Sequence, residues 1–132
     1  MNAKNKLSLA CGAMMFVGSS LPVLAGPYPR HRLEIWRIDA FRELAEVEAA
    51  ISESEGVVAT QGALVRRLEV MVAAAPGNPE TFARLKFEKR QFEVMYAHLT
   101  GLKGKRQQIL DYIDWIDVQL AAWDEMESHG GG

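Results

Sequence analysis

The stretch that decides the fold is Ala75-Pro76-Gly77-Asn78-Pro79-Glu80. Pro76 ends any helix that precedes it, because its ring fixes φ and removes a backbone donor. Asn78 followed by Pro79 reads as an N-cap with proline in the first helical position, and Glu80 suits the positive end of the new helix. The chain is therefore predicted to stop one helix near 75 and start another at 79.

The two flanking segments carry the same periodicity. Before the turn, alternating steps of three and four pass through Leu44, Val47, Ile51, Ser54, Val58, Gln61, Val65, Leu68, Val72 and Ala75, of which eight are apolar. After it they pass through Leu85, Glu88, Phe92, Met95, Leu99, Leu102, Arg106, Ile109, Ile113, Ile116, Leu120 and Trp123, of which ten are apolar. A heptad a/d seam sustained over more than four repeats on each side predicts helices meeting as a coiled coil, and no period-2 alternation competes. The expected fold is all-α, a long antiparallel coiled-coil-like hairpin of about 32–75 and 79–127 with its turn at 76–78. Folding back sets Leu44 near Ile109, Ile51 near Leu102, Val58 near Met95 and Val72 near Phe82. At 1.5 Å per residue such a hairpin would be roughly 65–70 Å long.

Glycines set the competing fold. Gly56 and Gly62 in the first segment, and Gly101 and Gly104 in the second, each cost about 1 kcal/mol relative to Ala in a helix interior. A break near Gly56 would give a three-helix bundle from 32–54, 57–75 and 79–127. The seam nevertheless keeps phase through both glycine pairs, which favours two uninterrupted helices.

Outside the hairpin, Gly26-Pro27-Tyr28-Pro29 opens an extended arm over 26–31, since proline disfavours helix in the residue before it. Ser128-His129-Gly130-Gly131-Gly132 reads as a flexible tail over 128–132. Residues 1–25 read as a signal peptide. Lys4 and Lys6 form a positive start, an uncharged run extends from Leu7 to about Leu24, and Val23-Leu24-Ala25 supplies a cleavage site before Gly26. The expected location is periplasmic or secreted, with cleavage after Ala25. A retained anchor is the alternative, since the run approaches the length of a membrane span. A lipoprotein signal is excluded, because Ser8 stands where a leucine is needed ahead of Cys11.

The intact chain of 132 residues carries 15 Lys+Arg against 17 Asp+Glu, which argues against a nucleic-acid binder working through bulk positive charge. With residues 1–25 removed, 13 Lys+Arg face 17 Asp+Glu, for a formal charge of −4, and Cys11 is lost. No thiol then remains for a disulfide in an oxidising compartment. Charge is uneven: residues 84–106 are mainly basic, whereas 107–127 carry Asp111, Asp114, Asp117, Asp124, Glu125 and Glu127 and no Lys or Arg. Such runs solvate a helix surface or, alternatively, drive head-to-tail or staggered self-association.

Apolar residues overflow the seam. Ala50, Val57, Leu64 and Met71 stand one place before successive a positions. Phe87, Val94, Gly101, Gln108, Trp115 and Ala122 recur at c positions, turned away from the seam. Ile35, Trp36, Ile38 and Phe41 add apolar surface near the start of the first helix. Val57, Leu64, Met71, Phe87, Val94 and Trp115 are thus candidate partner-interface residues. Ser54, Gln61, Glu88 and Arg106 are polar seam residues of the kind that set register.

Chemistry is sparse. His31, His98 and His129 form no zinc-spaced cluster, and no H-E-x-x-H or G-x-S-x-G occurs. Gly101-Leu102-Lys103-Gly104-Lys105 lacks the spacing of a phosphate loop and follows no strand. No catalytic residue, cofactor site or metal site is expected, and no nucleic-acid or small-molecule substrate. The expected function is that of an exported non-enzymatic scaffold or adaptor acting by protein–protein contact, as a homo-oligomer or a subunit of an envelope, secretion or conjugation assembly. A periplasmic holdase chaperone and a membrane-anchored coiled-coil spacer with an uncleaved signal are the alternatives.

Overall fold

A computed structural model describes residues 28–130. Two helices account for nearly all of them: α1, Arg30–Ala74 (45 residues), and α2, Pro79–Gly130 (52 residues). They pack against each other as an all-α helical hairpin, and the described residues contain no strand. The signal-peptide reading falls on residues 1–25 and lies outside the described residues.

The turn forms as its composition requires. Asn78 N donates to Ala75 O at 3.2 Å, closing a four-residue turn around Pro76 and Gly77. Asn78 Oδ1 then accepts from Glu80 N at 3.0 Å and Thr81 N at 3.3 Å, which satisfies two of the donors a helix start leaves unpaired. No described residue has a positive φ, so Gly77 is not needed for a left-handed turn.

α1 runs unbroken through Gly56 and Gly62, which removes the three-helix alternative. The two glycines differ in surroundings. A Cβ on Gly62 would stand 3.3 Å from the ring edge of Phe92, whereas one on Gly56 would meet nothing within 4 Å. Gly62 therefore lets the Phe92 ring approach the α1 backbone. Gly56 carries only the helix penalty, and the surrounding turns absorb it.

Helix ends differ slightly from the expected ones. α1 begins at Arg30, since Arg32 N and Leu33 N both donate to Pro29 O, so the extended arm is shorter than 26–31. α2 continues to Gly130, three residues into the stretch read as a flexible tail. Ser128 and His129 lie within reach of ordinary i→i−4 bonding, and a polar composition alone does not end a helix without a proline.

The chain divides into two compact units. The terminal unit comprises residues 28–47 and 105–130, and the turn unit comprises Glu48–Gly104. In the terminal unit Leu33, Ala40, Leu44 and Val47 of α1 are buried with Ile109, Tyr112, Ile113 and Ile116 of α2. Leu33, Ile109 and Ile116 are fully enclosed. The α1 seam thus extends in phase back to Leu33 through Ala40. Tyr112 and Gln119, one place before a positions, are buried as well, so α2 presents a stripe wider than a two-residue seam.

The turn unit has a thinner core. Ile51, Gly62 and Leu68 of α1 and Leu85 and Leu99 of α2 are buried, and Val58, Val65, Phe92 and Met95 are half-buried. Gln61 Nε2 donates to the Glu88 carbonyl at 3.0 Å and to Glu88 Oε1 at 2.9 Å, so these two polar seam residues satisfy each other. Glu55–Lys103 (3.7 Å) and Glu69–Lys89 (3.6 Å) join the helices at the rim. All four side chains are about half exposed, and such pairs contribute about 0–1 kcal/mol each.

Candidate interaction surface

In the turn unit the residues one place before the α1 a positions and those at α2 c positions share one side. A groove of about 480 Å³ brings three of them together: Ala50 and Val57 of α1 and Val94 of α2 line it, with Glu53, Ser54, Met95 and His98. A shallower depression of about 440 Å³ continues along α1 past Gly56, Thr60 and Gln61. Exposure is high for large apolar side chains: 45 % for Val57, 52 % for Met71, 55 % for Phe87 and 62 % for Val94. Leu64, in the same series, is half-buried. Val70, Phe82 and Tyr96 add exposed apolar area on other faces of the unit. The sides of two paired helices are too narrow to cover a third apolar position per heptad, so the surplus lies in water.

The terminal unit handles its surplus differently. Trp115, expected to lie free, is half-buried. The Tyr28 ring packs edge-on between Trp36 (5.0 Å between centroids) and Trp115 (5.7 Å), and Tyr112 stacks on Trp115 at 6.0 Å. Trp123 Nε1 donates to Tyr28 O at 3.1 Å. All three tryptophans of the chain therefore converge on one residue of the N-terminal arm. Trp36 and Trp115 were read as exposed because hairpin geometry alone has no third element there, and Tyr28 supplies it. The only signal for this in the sequence is the level placement of Trp36 and Trp115 on facing helices.

Charge closes the same unit. Arg37 Nε donates to Asp117 Oδ1 at 2.7 Å, and the Arg37 guanidinium lies 4.8 Å above the Phe41 ring. Arg30 reaches both Asp124 and Glu127, and its hydrogen bonds to those two carboxylates hold the guanidinium pKa above its ordinary value. Ile35 and Ile38 remain exposed on the outer side of α1.

Of the polar seam residues, Ser54 lines the groove and Gln61 meets Glu88, both in the turn unit. Arg106 is half-buried in the terminal unit. His98, which lines the groove, is exposed. Among the described residues no group of three or more His, Cys, Asp or Glu could hold a metal ion, and no helix is long and apolar enough to cross a membrane. What the arrangement offers chemically is an apolar trough with a charged margin, suited to receiving side chains of another helix.

The fold class is that of a helical hairpin built on coiled-coil spacing. No protein family, curated protein or solved structure matches the chain.

Proposed function

We propose that the protein is an exported, non-enzymatic helical scaffold or adaptor that acts by protein–protein contact, as a subunit of an envelope, secretion or conjugation assembly. The observation that carries this reading is that Val57, Met71, Phe87 and Val94 of the turn unit are all exposed, with Val57 and Val94 lining an apolar groove. Large apolar side chains recurring at helical spacing on one side are what helix-in-groove recognition uses. Export rests on residues 1–25, with Gly26 as the first residue of the mature chain.

The test is a photo-reactive residue placed at Val94 in the native cell, with Glu125 as the control site. A discrete adduct from Val94 and none from Glu125 is the expected result. Equal, diffuse labelling from both sites would overturn the reading. Intact mass of the recovered protein checks export: a chain starting at Gly26 is expected, and one retaining residues 1–25 would favour a membrane-anchored spacer.

A periplasmic holdase is the second reading, favoured by two conformationally adaptable methionines of the turn unit, exposed Met71 and groove-lining Met95. A holdase suppresses aggregation of unrelated denatured proteins at stoichiometric concentration. A dedicated subunit leaves them to precipitate.

A further inference from the structure

We infer that the groove side of the turn unit is a self-complementary dimer interface whose occupant is a second copy of this chain, docked antiparallel about a two-fold axis. The inference rests on the contact-surface reading above and names the partner.

The groove-side series on α1 is Ala50, Val57, Leu64, Met71, with Val57 and Met71 exposed and Ala50 and Leu64 half-buried, and on α2 it is the exposed Phe87, Val94, Gly101, each spaced by seven. A two-fold axis perpendicular to the helices, passing midway between Val57 and Leu64, sets Val57 against Leu64 of the second copy. The same operation sets Ala50 against Met71. On α2 an axis through Val94 sets that residue against its own copy and Phe87 against Gly101. In both helices the bulkiest residue thus meets the smallest, as interdigitating layers require.

The two axes are one axis. Gly62 of α1 faces the Phe92 ring of α2 in the turn unit, so the midpoint between Val57 and Leu64 is level with Val94 to within about half a turn of helix. Nothing in the pairing of α1 with α2 obliges the size pattern of both helices to share a centre. An isologous interface does oblige it.

Charge agrees with this operator. Glu53 and Arg67 flank the α1 series, and the same axis brings each to within one residue of the other's level in the second copy. Both are exposed, and neither has an ion-pair partner among the described residues. Gly101 also gains a reason. A Cβ there would meet nothing within 4 Å inside the chain, although glycine weakens a helix interior relative to alanine. In the dimer it is the space that receives Phe87.

The experiment is sedimentation equilibrium on the full secreted chain, with circular dichroism to confirm unchanged helix content. A dimer is expected for the natural sequence. Gly101→Leu fits the open space of the single chain but fills the site of Phe87, and should raise the dimer dissociation constant by roughly 10- to 100-fold. Glu53→Arg and Arg67→Glu should each weaken the dimer several-fold, and together restore it to within about twofold. A chain that stays monomeric at all concentrations would overturn the inference, as would a dimer indifferent to Gly101→Leu or one weakened further by the double reversal. A monomer that still forms the Val94 adduct in cells with a different protein would sink the dimer and leave the scaffold reading standing.

Discussion

Gly62 and Gly56 are six residues apart in one helix, and their surroundings give opposite expectations for the same substitution. Gly62→Ala puts a methyl group 3.3 Å from the Phe92 ring, so the ring must shift and part of the helix-propensity gain is lost. Gly56→Ala meets open space and should stabilise the protein by roughly 0.5–1 kcal/mol. Thermal unfolding of the pair is the measurement, and the expected order is Gly56→Ala above Gly62→Ala. At the turn, Asn78→Ala removes the acceptor for Glu80 N and Thr81 N and should cost about 1 kcal/mol, read by urea denaturation. Gly77→Ala should raise stability by about 0.4–1 kcal/mol, because no left-handed conformation is needed there and alanine narrows the unfolded ensemble. Composition distinguished none of these glycines. What separates them is the neighbour a side chain would meet, and that depends on the partner helix.

At the scale of elements, the hairpin was legible because two independent signals agree. Asn78-Pro79 marks where α2 begins, and the a/d spacing survives across Gly56 and Gly101, where a broken helix would have lost phase. The seam residues Leu44, Val47, Ile51, Ile109, Ile113 and Ile116 are all buried. The arm was harder to read. Pro27 and Pro29 restrict local backbone angles but carry no information about where the Tyr28 ring goes, so the cover over Trp115 was invisible before the fold was known. The contribution of that cover is measurable. Tyr28→Ala removes ring contacts with Trp36 and Trp115 and should destabilise the protein by roughly 2–4 kcal/mol, with a red shift in tryptophan fluorescence as the rings become hydrated. Leu33→Ala, at a fully enclosed position of the same unit, should cost about 2–5 kcal/mol by urea denaturation. Removing an exposed residue such as Val94 should change the stability of the single chain by less than about 0.5 kcal/mol.

For the whole molecule, the two units meet the same problem of excess apolar surface in different ways. The terminal unit encloses Leu33, Ile109 and Ile116 and covers Trp115 with its own arm. The turn unit encloses fewer large side chains and leaves Val57, Met71, Phe87 and Val94 in water. Few buried contacts mean low local stability, so amides of the turn unit should open more readily than those of the terminal unit in dilute solution. Binding of any partner that recognises only the closed form suppresses such opening by mass action. Hydrogen exchange followed by mass spectrometry at low and high protein concentration joins these two expectations. Exchange across 57–71 and 87–101 should slow as concentration rises, while exchange across 33–44 and 109–119 stays constant. Rates in both units that do not change with concentration would contradict a contact surface shared between copies on the turn unit.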